Sequence, residues 1–367
     1  MNMSHNAEIK FCSDGVLMSA GYEDMTSYHG GRYPAGTALA YKALLLAKDL
    51  LFPDGAFFVR GKCSIETAFA GLGFLDAIEM VLRCSSLGLY RVDTEMPAPD
   101  GTPLAPVRGK FFYRFIQEDG VLELTVKPNL VPQEFYRATE DLHSGKIKSE
   151  DGPMALRRTV ESALLSLDPT DIFDVRALKP CTVKTAEPVA APSLDDPSRL
   201  VLEDFDSYKI GIRQLQRYHG DQAVCGLCLT WALARQWAKT VFKGDPVPRR
   251  KVSVKVGASG KGIDDAIEFL FRLSGTERST IDLRWGKEMN APEVLPGAGF
   301  FAFQISMADT KRAFVLKEDL VPREYLRLCA IKAANPSSFK EETERKKLQY
   351  EFASRMLLES EPFQVQD

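Results

Sequence analysis

The chain has 367 residues, room for about two domains of ordinary size, each able to bury a core. Its 47 Lys and Arg against 50 Asp and Glu leave a net charge of −3, and its 45% apolar and 26% charged residues are those of a globular chain; the one dense basic cluster, PRRKVSVK at 248–255, is too little to predict a nucleic-acid partner. No apolar run has membrane length and the first residues do not read as a signal peptide, which predicts a cytoplasmic protein with no membrane partner; seven cysteines, an odd number scattered through a long chain, predict reduced thiols.

In chain order, the loop SYHGG carries His29 between Tyr28 and Gly30, just before a predicted helix over PAGTALAYKALLLAKDLL, where Leu39, Ala43, Leu46, Ala47 and Leu50 recur at helical spacing. GKCSIET alternates inward and outward residues as a half-buried strand and runs into the glycine-rich loop AFAGLG; a second helix follows from about Leu75. After GLYRVDTEM, the pieces GKFFYRFI and VLELTVK predict a hairpin. LVPQEFYRATEDL then opens with a proline near its first turn, where a missing N–H costs nothing, so a helix starts there. VKTAEPVAAPSLDDPSRL, rich in proline and polar residues, reads as a linker.

The order then recurs. RYHGD carries His219 before GLCLTWALARQWAKTVF, and RKVSVKV leads into GASGKG and a helix from about Asp265; TIDLRWGKEM, GFFAFQI and RAFVLK follow. LVPREYLR at 320 repeats LVPQEFYR at 130, 190 residues later, and DAIE at 76 returns at 265. The tail SSFKEETERKKLQYEFASRMLLES predicts a charged helix with an apolar seam at Leu348, Phe352, Met356 and Leu357, clamped on the body. The expected fold is α+β: two homologous α/β-layer domains from an internal duplication, strands on one side and helices on the other, packed as a pseudo-dimer, plus a C-terminal helix. The boundaries are 1–166 for the first domain, 167–206 for the linker, 207–334 for the second domain and 335–367 for the helical extension.

The chemistry-bearing residues are few. His29 and His219 occupy matching loops, where imidazole can ligate a metal, exchange a proton, or cap a helix and anchor the entering chain. Cys225 and Cys228 stand one turn apart at a helix start, a place that lowers thiol pKa, with His219 as a third ligand; a zinc or redox pair is one reading. Packing is the other, because Ala35 and Ala38 fill the same places in the first copy, and Val252, Leu273 and Thr139 stand opposite Cys63, Cys84 and Cys329. Ser259, Gly260 and Lys261 lie in a strand-to-helix loop that could hold an anion on backbone donors, although its spacing is not that of a P-loop. Glu66 and Asp76 are a conceivable acid/base pair, with Asp76 and its sister Asp265 equally suited to helix-start electrostatics; Glu79 and Glu268 share that face or are solvated. No nucleophile elbow, zincin or dinucleotide fingerprint occurs.

YHGGRYPAGTALAYKALLLA, then IETAFAGLGFLDAIE, then RCSSLG resemble the domain named for the E-type subunit of formylmethanofuran dehydrogenase, over 28–142 and more faintly over 218–330. The resemblance implies a metal gathered by a His-Gly-His-x-Cys-Pro-Gly stretch and by a cysteine three residues before the Asp-Ala pair. Here Gly31 stands for the second histidine, Tyr33 for the cysteine before Pro34, and Gly73 and Gly262 for the later cysteine; Arg83, Cys84 and Ser85, matched by Arg272, Leu273 and Ser274, stand for the family's Gly-Cys-Thr loop, and no treble-clef cysteines follow Cys329. The candidate metal ligands are therefore His29, Cys84, His219, Cys225 and Cys228, for a divalent metal such as zinc. The candidate ligand-binding set is His29, Tyr28, Tyr33, His219, Ser259, Gly260 and Lys261. The resemblance also implies one-carbon metabolism and an accessory role beside a partner enzyme. The expected function is binding of a small molecule or metal-containing cofactor near the histidine loops between the repeats, by a monomeric pseudo-dimer or a homodimer. An enzyme using His29 or His219 as acid or base, and a zinc or redox protein at Cys225 and Cys228, are the alternatives.

Overall fold

The computed structural model describes residues 7–106, 108–183, 187–273, 278–295, 297–334 and 338–366; Ser274 lies outside them, as do the start of the chain and residues 184–186 of the expected linker. The chain divides into two compact units, Met1–Ala191 and Pro192–Asp367, and is mixed α/β, with several small sheets and eleven α-helices among the described residues.

Unit 1 opens with β1 (Ile9–Ser13) and β2 (Val16–Ala20), an antiparallel hairpin turned by Asp14 and Gly15, both at positive φ as a tight Asp-Gly turn requires. Helix α1 (Tyr22–His29) starts where the Asp24 carboxylate accepts the Gly21 N–H at 2.9 Å and stops at Gly30, whose φ of 85° turns the chain. Helix α2 (Pro34–Leu51) has Pro34 in its first turn and is buried on most sides, as its run of Ala and Leu dictates. After β3 (Phe58–Val59) come β4 (Cys63–Phe69), α3 (Leu72–Leu82), β5 (Tyr90–Val92), and the hairpin β6 (Gly109–Gln117) and β7 (Gly120–Val126). Helices α4 (Gln133–His143), α5 (Asp151–Ser166) and α6 (Pro169–Ile172) lead into β8 (Phe173–Lys179) and β9 (Val189–Ala190). The main sheet runs β5-β4-β6-β7-β8, with β5 parallel to β4 and the other neighbours antiparallel; β3-β1-β2-β9 make a second, smaller sheet. Helix α2 lies against α3 and α5 and meets β7 and β8, and the core beneath holds Phe74 stacked on Tyr113 at 4.4 Å between centroids.

Unit 2 has the same order, save for elements in the places of α6 and β9 among the described residues: β10 (Leu200–Glu203), β11 (Ser207–Ile210), α7 (Ile212–His219), α8 (Val224–Trp237), β12 (Val247–Pro248), β13 (Ser253–Ala258), α9 (Lys261–Phe271), β14 (Ser279–Ile281), β15 (Gly299–Met307), β16 (Thr310–Leu316), α10 (Arg323–Ala334), α11 (Phe339–Leu358) and β17 (Phe363–Gln366). Its main sheet is β14-β13-β15-β16-β17. Register agrees too, since Thr67 faces Tyr113 as Val256 faces Phe303, and the pairing shifts at Thr67/Phe69 as at Val256/Ala258. Arg60 donates to the carbonyls of Met80 and Val81, and the fully buried Arg249 to those of Phe269 and Leu270. Arg83 and Arg272 both end their helices at positive φ and pair back to Glu79 and Glu268, so these glutamates are neither solvated nor free.

Three boundaries differ from the sequence reading. The span 167–206 is more than a linker: it holds α6 and β8, which completes the sheet of unit 1, as well as β9 and β10. Edge strand β8 leaves Val175 and Leu178 exposed, so its alternation is blurred and its neighbourhood of prolines dominates the sequence signal. The tail helix does pack on the body, as expected, and it is part of unit 2 rather than an extension beyond it. Helix α11 packs on α8 as α5 packs on α2, and β17 pairs with β16 as β8 does with β7. Its seam is buried at Phe352, Met356 and Leu357 and half-buried at Leu348.

Candidate functional site

His29 ends α1 with its ring buried, and two contacts define what it does. Its Nδ1 lies 2.7 Å from Asp76 Oδ2 on α3, and its Nε2 accepts the Tyr33 backbone N–H at 2.8 Å. An N–H pointed at Nε2 assigns the lone pair to that nitrogen and the proton to Nδ1, which donates it to the carboxylate. Tyr33 is the residue on which α2 begins, so the imidazole ties α1, α2 and α3 together at one point. His219 makes the same link at Nδ1, 2.7 Å from Asp265 Oδ2 on α9, but its Nε2 faces an acceptor, the Gln222 carbonyl just before α8, where His29 takes an N–H. Both ring nitrogens of each histidine are thus occupied by the protein's own groups, which leaves neither histidine positioned as a general base or a metal ligand. Tyr28 and Tyr218, beside them, are buried.

The other expected site residues do not converge on these histidines. Glu66 accepts from Arg114 at 2.9 Å in a cross-strand network that also includes Glu123, whereas Asp76 belongs to His29; the conceivable carboxylate pair is not assembled. Cys84 is buried and donates to the Cys63 carbonyl at 3.3 Å, and hydrogen bonding toward Cys63 together with burial drives its thiol far above the ordinary range. Cys225 is buried and donates to the Gln349 carbonyl at 3.3 Å, Cys228 is fully buried, and burial raises both thiols. These are inert, packed thiols rather than thiolates. Among the described residues no group of three or more His, Cys, Asp or Glu is placed to hold a metal ion. Ser259 and Lys261 are exposed at the start of α9, where the Gly260 carbonyl takes the N–H groups of Ile263 and Asp264.

Glycine in place of the expected later cysteine has a steric reason. A Cβ on Gly73 would lie 2.2 Å from the Tyr33 carbonyl oxygen and 3.0 Å from the Thr37 nitrogen, and one on Gly262 2.3 Å from the Ala223 oxygen. The helices α2 and α3, like α8 and α9, cross backbone to backbone there, and no side chain fits.

Beside this crossing, unit 1 has a half-open cavity of about 460 Å³. Tyr33, Ala35, Gly36 and Leu39 of the α2 start form one wall, and the loop 69–73 at the end of β4 forms another. Phe111 and the loop around Ala105, Pro106 and Arg108 close a third side. The roof is α4, which presents Phe135, Thr139 and His143, spaced four apart on one face, and α5 adds Arg157, Val160 and Leu164. None of the residues of α4 is fully buried, so the helix covers the cavity without being rooted in a core, held on one side by the Tyr136 hydroxyl donating to the Leu104 carbonyl at 2.9 Å. A surface groove of about 790 Å³ on the far side of α4 shares Ala105, Pro106, Val131 and His143 with the cavity. In unit 2 the places of Ala35, Phe135 and Thr139 are taken by Cys225, Tyr325 and Cys329, and the Tyr325 hydroxyl lies beside both thiols.

Of the expected ligand residues, the cavity gathers Tyr33 alone; His29 acts behind it. Sequence reasoning missed the α4 and α5 faces. Their signal was the apolar–polar face of α4 and the change from Phe135 to Tyr325 and from Ala35 to Cys225 between the two halves of the sequence.

The fold and this cavity define the class: a protein of two α/β units, the first with a mostly apolar cavity within the size range of small-molecule sites. Compared with known proteins, the chain matches no family model and no curated protein.

Proposed function

We propose that this is an accessory, ligand-binding protein that takes a small, largely apolar molecule into the cavity of unit 1. The observation that carries this reading is the cavity itself, about 460 Å³ in volume and walled by Leu39, Phe111, Phe135, Val160 and Leu164 under a helix with no fully buried residue. Binding rather than turnover is favoured because His29, His219, Glu66 and Asp76 are each engaged by a protein partner. The resemblance to the E-type subunit of formylmethanofuran dehydrogenase agrees with an accessory role beside a partner enzyme. We also infer that the chain is one ancestral unit written twice, an origin supported by the shared element order, sheet order and register of the units. In this reading one copy kept its interior packed with Cys225, Tyr325 and Cys329 and the other opened it.

The test is titration of the intact protein with N-phenyl-1-naphthylamine, an uncharged fluorophore that brightens in apolar surroundings. Saturable one-to-one binding is expected, and Thr139→Trp, which places an indole in the cavity from a half-buried position, abolishes it while the far-ultraviolet circular dichroism stays that of the parent. Absence of saturable binding to the parent protein, or undiminished binding by a folded Thr139→Trp variant, overturns the proposal.

A further inference from the structure

We propose that the occupant of the unit 1 cavity is a free amphipathic anion, an apolar body bearing one acidic headgroup; this rests on the binding function proposed above. The lining carries charge of one sign. Arg157, Arg108 and His143 line the cavity, and among the described residues no Asp or Glu does. An apolar body alone would need no such set, and a cationic or dipositive ligand would be repelled by it.

Arg157 and His143 stand toward one end of the cavity. The loop 144–150 joins α4 to α5, so the end of α4, which carries His143, returns beside the first half of α5, which carries Arg157; Leu164 lies two turns further along α5. Arg157 is 6% exposed, and its guanidinium is fixed over the Tyr33 ring at 4.9 Å from the centroid. One of its nitrogens, Nη1, is committed to the Arg32 carbonyl at 3.2 Å and to Glu150 at 3.4 Å, which leaves further donors of the five-donor fork. Arg108 and His143 are exposed, and neither makes a hydrogen bond or ion pair among the described residues. Leu72, half exposed at 53%, adds an apolar lip. The acid therefore meets Arg157 with His143 at the same end, the exposed Arg108 being a further donor on the lining, and its tail runs toward Leu39, Val160 and Leu164. Carboxylate and guanidinium match in geometry as well as sign.

The experiment is displacement of bound N-phenyl-1-naphthylamine by decanoate and by decanol, which share a tail and differ in the head. Decanoate is expected to bind at least about tenfold more tightly, the yield of one charge-assisted hydrogen bond. The exposed double variant Arg108→Gln/His143→Gln, together with Arg157→Met where that folds, is expected to narrow the gap while decanol binding holds. Equal affinities for acid and alcohol in the parent, or a gap that survives both variants, overturn the anionic class while leaving apolar binding intact. Binding of neither competitor by a protein that does bind the fluorophore also overturns it. Failure of the fluorophore itself to bind is the separate failure of the function proposed above.

Discussion

At the scale of single residues the two histidines are structural latches, and their energetics can be stated. Removing the carboxylate in Asp76→Ala leaves a buried ring N–H of His29 without that acceptor, a loss expected to cost about 1–3 kcal/mol. His29→Ala removes the donor to Asp76 and the acceptor for the Tyr33 N–H together and is expected to cost at least as much. Urea unfolding of the single variants and of the double variant checks this; the double should be less destabilised than the sum, because both singles break one contact. Full additivity would contradict the latch. Much of this was legible early: His29 and His219, and Asp76 and Asp265, stand out as doubled residues. Their union was not legible, since it joins positions 47 residues apart through the meeting of α1 and α3, which no local pattern encodes. Packing was one of two readings open for Cys225 and Cys228, carried by Ala35 and Ala38 at the corresponding places of the first half of the sequence.

At the scale of elements, the helices α2 and α8 and the hairpins β6–β7 and β15–β16 follow from periodicity and turn residues, as read from the sequence. What escaped were α5 and β8, elements whose faces are defined by partners far away in sequence: α5 packs on α2, and β8 edges a sheet whose other strands end by Val126. The close helix crossing offers the sharpest element-level test. In Gly73→Ala the new methyl meets backbone atoms of Tyr33 and Thr37, which cannot rotate away, so α2 and α3 must separate. A loss of roughly 3 kcal/mol is expected, at the upper end of overpacking costs. Gly152→Ala is the contrast, because a methyl there meets nothing within 4 Å in the first turn of α5; a gain of about 0.5 kcal/mol is expected from the less flexible unfolded chain. Thermal unfolding of both variants measures the difference. Similar small effects for the two would mean that the crossing does not need glycine.

At the scale of the whole molecule, the sequence reads as two domains with the edge of the second at 207, and the structure places that edge at Pro192. The reason lies in the stretch 192–199. Asp196, 9% exposed, accepts the Trp231 indole N–H at 2.7 Å and pairs with Arg235 at 3.0 Å, while Leu194 is buried. The next strand, β10, pairs with both β11 and β12. A proline-rich, polar composition disguises this as linker, yet each of those residues is bound into unit 2. Each unit also has its own main sheet and its own aromatic core, around Phe74, Tyr113 and Phe115 in the first and Trp231, Trp237 and Phe269 in the second. Separate expression of 1–191 and 192–367 is therefore expected to give two folded fragments, with fluorophore binding retained by the first, whose residues alone line the cavity. A fragment starting at 207 is expected to fail. It lacks β10 and strips the buried Trp231 of its acceptor and Arg235 of its carboxylate, and removal of one partner from a buried pair typically costs about 3–5 kcal/mol, a large part of what holds a domain of this size together. Circular dichroism and thermal melting of the three fragments separate the two boundaries: equal cooperativity for 192–367 and 207–367 would return the stretch 192–206 to linker.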